Sequence, residues 1–394
     1  MFLAYTDEQL ALRKELREYF AGLLTPEVRG KLGHAGEGSP EFRQVVRRLG
    51  ADGWLGLGWP TQYGGQGRGA IDQFILFDEV QRAGAPFPFV TVNTVGPTIM
   101  AFGTPEQKQR YLPGILAGEI NFAIGYTEPD AGTDLASLRT RAERDGEEWR
   151  INGNKVFTSG ANQADYIWLA CRTDPDAPKH KGISIIIVPT DSPGFKCTPI
   201  VTVGSVVTQA SYYDDVRVPL ENVVGEANSG WRLITNQLNH ERVGLAALGG
   251  LTHRVYDDVV AWCADAEAGD GTGRRMLEIP WVQADLARAH ALLEAMKLLN
   301  WRMAAAVAAN TLGPSDASAA KVYGVETQIE CYRLFLGILG AVGYLPEGSP
   351  GAVLHGEVER AARAAQINTF GGGVVEVLRE IVATAGLGMA RQRR

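Results

Sequence analysis

Hydrophobic periodicity changes twice along this chain, and that double switch constrains the fold more than any single residue does. Over residues 1–120 the apolar positions recur at helical spacing: Thr6 and Gln9 have the form of a capping box ahead of Leu12, Leu16, Tyr19 and Leu23. The run 72–84 is a second amphipathic helix stopped by Gly84, and the breaker-rich loop WPTQYGGQGRG (59–69) separates helices. Over 121–230 the pattern is that of strands. Asn152-Gly153 predicts a type I′ hairpin turn between Trp149/Ile151 and Val156, and YIWLAC (166–171) and ISIIIV (183–188) read as buried strands. After Gly230 long helical patterns resume, interrupted at 269–273, 313–316 and 345–351. Three units follow: a helical domain over 1–120, a β-domain over 121–230 and a helical bundle over 231–394. No internal repeat is evident, and no G-x-G-x-x-G follows a strand, so a Rossmann reading has no support.

Composition removes several function classes. The 394 residues exceed one ordinary core, and a net charge of −7 without a dense Lys/Arg block argues against nucleic-acid or anionic-membrane binding. Arg391, Arg393 and Arg394 read as a solvated tail. The four cysteines, Cys171, Cys197, Cys263 and Cys331, have no metal-type spacing, which predicts free thiols in a reduced, cytoplasmic protein without a metal site. The N-terminus has no basic and apolar leader pattern, and no run of roughly 18 apolar residues occurs, so neither secretion nor membrane spanning is expected.

Two segments carry more specific information: YTEPDAGTD at 126–134 and NGNKVFTSGANQAD at 152–165. With them the chain resembles the acyl-CoA dehydrogenases. The resemblance implies that family's fold, an α-helical N-terminal domain, a central β-barrel-like domain and a C-terminal four-helix bundle, with FAD between the last two. It implies that a Glu side chain removes the α-proton of an acyl-CoA while flavin N5 takes the β-hydride. Carried over residue by residue, Tyr126 and Thr127 would meet the pyrimidine end of the flavin, and Gly132 would permit close approach. Phe157 stands where the family usually has Trp against the flavin, and Ser159 takes the Thr position near N5. Thr133 takes a Ser position facing the CoA portion of the substrate. Taken alone, either motif is also ordinary turn chemistry.

The base is the informative departure. Most members carry it in a C-terminal Y-E-G-T segment, and alignment through VEVLREIVA (375–383) puts Gly372 at that place. Isovaleryl- and long-chain-type members use an upstream helix instead, and Asn239-His240-Glu241-Arg242 matches it, so the resemblance makes Glu241 the base and places Arg242 at the substrate. A carboxylate in a small apolar pocket has its pKa raised towards the operating pH, as general-base work on a weakly acidic thioester α-proton requires. By itself Glu241 also reads as a helical ion-pair residue, and His240 as a core or surface histidine. Gly372 keeps the main-chain N–H that, with a flavin ribityl hydroxyl, polarises the thioester carbonyl in this family. Its missing side chain would widen the acyl pocket, although Gly371–Gly373 also reads as a glycine-rich helix start.

Two further motifs, which tetrameric members use to bind a neighbour's FAD, are weakened. GTGRRMLEIPWVQADLA (271–287) lacks the Phe of R-x-x-F-G, and GILGAVGYL (337–345) has Gly337 and Ala341 at the expected Gln and Gly. Arg274 or Arg275 could still meet a pyrophosphate, or stand solvated in its loop. The combination, with GWPTQYGGQGR, GPSDASAAKVYG and TFGGG, resembles the base-bearing subunit of the α2β2 acyl-CoA dehydrogenases that actinobacteria use on steroid side chains in cholesterol catabolism. It implies a bulky steroid-CoA substrate, a paralogous partner subunit and an electron-transferring flavoprotein as acceptor. The alternatives are a homotetrameric isovaleryl-type enzyme, a non-catalytic structural subunit and an oxidase.

Overall fold

The structure, a computed structural model, describes residues 4–32, 39–235, 237, 249–309 and 311–390. Its first helix, α1 (Asp7–Leu23), starts as its sequence predicts: the Gln9 amide donates to Thr6 Oγ1 at 3.2 Å and the Thr6 amide to Gln9 Oε1 at 3.0 Å. This reciprocal cap satisfies two of the donors that a helix start leaves open. Leu12, Leu16 and Phe20 form its buried stripe. Helices α2 (Pro26–Leu32), α3 (Pro40–Ala51), α4 (Ala70–Ala83), α5 (Gly96–Phe102) and α6 (Pro105–Leu116) complete the N-terminal layer. Gly84 ends α4 in the left-handed region with φ +62°, which a residue with a Cβ adopts only at a cost. Arg13 and Arg17 of α1 both reach Glu79 of α4, whose side chain is 3% exposed, at 2.8 and 2.9 Å.

Seven strands follow in one curled sheet: β1 (Phe122–Gly125), β2 (Arg141–Asp145), β3 (Glu148–Lys155), β4 (Tyr166–Arg172), β5 (Ile183–Pro189), β6 (Phe195–Val201) and β7 (Val207–Pro219). The order is β1-β4-β2-β3-β7-β6, with β5 antiparallel on β4. The continuous apolar runs of β4 and β5 are explained by burial on both faces. Trp168, Ala170, Ile183, Ile185 and Ile187 join the cluster shared with the N-terminal helices. Ile167, Leu169, Cys171, Ile186 and Val188 fill the other side of the sheet.

The expected turn at Asn152-Gly153 is not there. Both residues lie inside β3, and the β2–β3 hairpin turns instead at Gly146-Glu147, between the paired Asp145 and Glu148. Gly153 sits where the β3–β7 register shifts, with φ +146°, and a Cβ on it would lie 2.6 Å from Thr140 Oγ1. The glycine answers to a bulge and a close approach of chains, two uses of strand glycine that the dipeptide rule does not separate from a turn. Asn152 Oδ1 accepts the Asp215 amide at 2.9 Å and helps to hold that bulge.

The C-terminal layer holds α7 (Gly250–Asp265), α8 (Pro280–Ala308), α9 (Pro314–Leu339), α10 (Glu357–Ala365) and α11 (Val375–Ile381). Its core runs from Val255 and Val259 through Leu286, Leu293 and Met296 to Phe335 and Val358. Phe74 of α4 packs with Met303 and Ala304 of α8, joining the two helical layers. Among the described residues no helix is long and apolar enough to cross a membrane, and no group of His, Cys, Asp and Glu is placed to hold a metal ion. The four cysteines are free thiols.

Candidate active site

The 126–134 loop leaves β1 and is pinned from beneath by a buried ion pair. Lys155, fully buried on β3, places Nζ 2.8 Å from Glu128 Oε1 and 3.0 Å from the Tyr126 carbonyl. Glu128 also accepts the amides of Arg139 at 2.6 Å and Thr140 at 2.8 Å. Burial alone would raise the Glu128 pKa, but the Lys155 ammonium and these amides hold it below the ordinary carboxylate range. Buried, paired with an ammonium and accepting two backbone amides, the acid of T-E-P is a structural anchor and not a base. Sequence reasoning passed over Lys155, although the period-2 pattern offered a signal: it shares a strand face with Ile151, which is also fully buried.

Around that anchor the two motifs are stitched together, Val156 N donating to the Thr127 carbonyl at 2.9 Å. The loop closes on itself through paired Glu128 and Ala131 backbone bonds of 3.1 Å, which leaves Gly132 and Thr133 on the exposed rim. Phe157 is 59% exposed and held at φ +60°, a conformation that a non-glycine residue adopts only under constraint. Its neighbour Ser159 contacts Thr208, hydroxyl to hydroxyl, at 2.9 Å, and Thr158 does the same with Ser211 at 3.1 Å. The Tyr126 hydroxyl is engaged internally: it accepts Trp168 Nε1 at 3.2 Å and donates to Gln237 Oε1.

A flat, polar-edged ring system fits this rim. Gln237 Nε2 and Gln209 Oε1 are buried and, among the described residues, lack a hydrogen-bond partner. One residue is bonded to Tyr126, and the other accepts the Thr158 amide on its carbonyl at 2.9 Å. A donor and an acceptor left open on residues bonded to the two motifs have the chemistry that the alternating edge of a flavin needs.

The glycine turn lies in the C-terminal layer, against α9. Gly371 N donates to Ile367 O at 2.8 Å, and the backbone passes through φ +68° at Gly372 and +115° at Gly373. Among the described residues the exposed Gly372 N–H meets no acceptor. Lys321 on α9, 8% exposed, donates to the carbonyls of Gly371 at 2.5 Å and Gly373 at 3.2 Å. It too was missed, although Ala317 and Val325, one helical turn to either side, are buried and mark its face as inward.

An open pocket of about 420 Å³ lies beside the β-domain, lined by His180, Lys181, Ser229, Trp231, Arg232 and Thr235. His180 and Trp231 meet edge to face at 4.8 Å. Lys179, next in the chain, grips both carboxylate oxygens of Asp134 at 2.9 and 2.8 Å and so ties this pocket to the Thr133 loop. Arg274 and Arg275 serve their own loop: Arg274 pairs with Asp270 at 2.6 Å and Arg275 donates to the Asp265 carbonyl at 2.7 Å. Glu241, Arg242 and His240 lie outside the described residues, as does the arginine tail from Arg391.

Comparison with known proteins covers the chain almost completely. The acyl-CoA dehydrogenase N-terminal, middle and C-terminal domain models match residues 6–119, 123–216 and 228–387. Acyl-CoA dehydrogenases FadE26 and FadE29 of Mycobacterium tuberculosis are 51% and 48% identical to it, each over 100% of both chains. Among solved structures, a Tcur3481-Tcur3483 steroid ACAD superposes with a TM-score of 0.94 at 62% identity, covering 100% of both chains. The ChsE4-ChsE5 complex from Mycobacterium tuberculosis does so with 0.93 at 51% identity, again covering 100% of both.

Proposed function

The chain belongs to the acyl-CoA dehydrogenase family, and from that premise we propose that it is the base-bearing subunit of a heteromeric enzyme that desaturates the α,β bond of a steroid side-chain acyl-CoA. The observation that carries this reading is the glycine turn, which offers a main-chain donor and no carboxylate of its own. Proton removal then falls to a residue elsewhere, and Glu241 in the NHER segment is the acid whose context matches.

In this reading the thioester carbonyl accepts the Gly372 N–H, which stabilises the charge that develops on oxygen as the α-proton leaves. Glu241 takes that proton, and the Cα electron pair becomes the new double bond as the β-hydride departs, giving the trans-2-enoyl-CoA. Bound FAD supplies the hydride acceptor. Tyr126, Thr127, Gly132, Phe157 and Ser159 would hold it at the β-domain rim, an assignment that the open donor of Gln237 and acceptor of Gln209 support. Thr133 and Arg242 face the CoA chain. The His180, Lys181 and Arg232 pocket suits the anionic nucleotide end, because it gathers cations beside an aromatic face. The reduced enzyme passes its electrons to an electron-transferring flavoprotein. The steroid substrate and the paralogous partner are supported by the likeness to a steroid ACAD and to the ChsE4-ChsE5 complex.

Glu241→Gln tests the base directly. The co-assembled variant should keep its flavin and bind acyl-CoA while losing about 10³-fold in kcat. Activity within a few-fold of the unsubstituted enzyme would remove Glu241 from the mechanism.

A further inference from the structure

Three consecutive glycines are the most freely moving stretch a backbone can have, and they surrender the most entropy when fixed. A turn built of Gly371, Gly372 and Gly373 therefore needs an outside constraint if one of its amides is to point in a single direction. The constraint is on α9. Lys321 Nζ donates to the Gly371 carbonyl at 2.5 Å and to the Gly373 carbonyl at 3.2 Å, one on each side of Gly372. The ammonium lies against the turn itself: a Cβ on Gly372 would stand 3.2 Å from Nζ. A buried, charge-assisted hydrogen bond of this kind is shorter and stronger than a neutral one.

The geometry of one peptide plane gives this grip its meaning. The Gly371 carbonyl and the Gly372 N–H belong to the same planar trans peptide and point in opposite directions. Holding the carbonyl oxygen towards α9 aims the N–H away from it, and a cation on the oxygen makes the N–H a stronger donor. We propose that Lys321 is the positioning residue of the carbonyl-polarising turn, fixing the direction of the Gly372 N–H and strengthening it as a donor to the substrate thioester. This rests on the reading of Gly372 N–H as that donor.

The test reads the carbonyl itself in the co-assembled holoenzyme, using 4-methylpent-2-enoyl-CoA labelled with ¹³C at the thioester carbonyl and infrared difference spectroscopy. Bound to the unsubstituted enzyme, the carbonyl stretch should fall to lower frequency than in solution. In Lys321→Met that shift should shrink by about half or more, and kcat should fall on the order of 10²-fold with KM little changed. Flavin content and melting temperature should stay near the original, and Lys321→Arg, which keeps a cation and its donors, should retain most of the shift. If Lys321→Met does not assemble, Lys321→Gln, uncharged and shorter, should show the same loss. An unchanged carbonyl shift in the uncharged variant would overturn the proposal. A second variant separates the two ideas: replacing Gly372 by glycolic acid converts its amide to an ester and removes the N–H. Loss of the shift there but not in Lys321→Met leaves the Gly372 reading standing and sinks the role of Lys321. Persistence of the shift in the ester sinks the Gly372 reading and the proposal with it.

Discussion

His253, near the start of α7, illustrates how a buried titratable side chain sets a limit on the conditions this fold tolerates. Burial, with the Arg82 cation nearby, pushes its pKa down to about 4, and its Nε2 has no hydrogen-bond partner among the described residues. An unfolded histidine titrates near 6.5. Between these values the unfolded chain binds a proton that the folded chain refuses, so stability is complete above about pH 6.5 and is lost as pH falls towards 4. The gap is worth about 3 kcal/mol. His253→Gln should therefore flatten the fall in melting temperature between pH 6.5 and 4.5 relative to the unsubstituted chain; parallel slopes would show that other groups control it. Residues of this kind are hard to find in a sequence. Lys155, Lys321 and Gln237 each bear on the site through a partner far along the chain, Glu128 for the first, the glycine turn for the second and Tyr126 for the third. Local patterns flag a polar residue on a buried face but do not name what it meets, whereas Gly372 and Phe157 stand out because their motifs surround them.

At the scale of elements, legibility follows the range of the forces that decide each one. The Thr6/Gln9 cap and the Gly84 stop depend on neighbours within a turn, and both are read correctly from the sequence. The YIWLAC and ISIIIV strands announce themselves because both faces are buried, which only a continuous apolar run can supply. Asn152-Gly153 misleads because its glycine responds to a long-range contact with Thr140 and to the register of β7. Two alanine substitutions separate the roles. At Gly146 (φ +64°) a Cβ meets open space, so Gly146→Ala should cost only the left-handed backbone penalty of about 1 kcal/mol. At Gly153 the methyl would overlap Thr140, so Gly153→Ala should cost roughly 3 kcal/mol or more. Equal melting temperatures for the two variants would mean that β3 relaxes at the bulge, and a larger loss at Gly146 would contradict the assigned hairpin.

For the whole molecule, the assembly is what one chain conveys least directly, because an interface is written in two sequences. What this chain does carry is an imbalance at its surface. The β6–β7 hairpin exposes Val201 and Val203 by 76% and 84% and is tied down to α10 through Arg363, which donates to the Val203 carbonyl and to Ser205 Oγ. An apolar projection of this kind suits contact with another subunit better than contact with water. A Cβ on Gly337 would meet open space among the described residues, and on the proposed reading this is the position where the family resemblance expects a glutamine that reaches a neighbour's flavin. A homotetramer built from such subunits would lack that flavin contact at every site, whereas a paralogue that kept the motif would restore it at half of them. The chain purified alone should therefore be nearly colourless, and co-expressed with its paralogous partner it should yield a heterotetramer holding half an FAD per chain. One FAD per chain in an assembly of this chain alone would overturn the heteromeric reading and return the protein to the homotetrameric, isovaleryl-type plan. A partnered complex that binds flavin yet shows full turnover with Glu241→Gln would instead assign this chain a structural role.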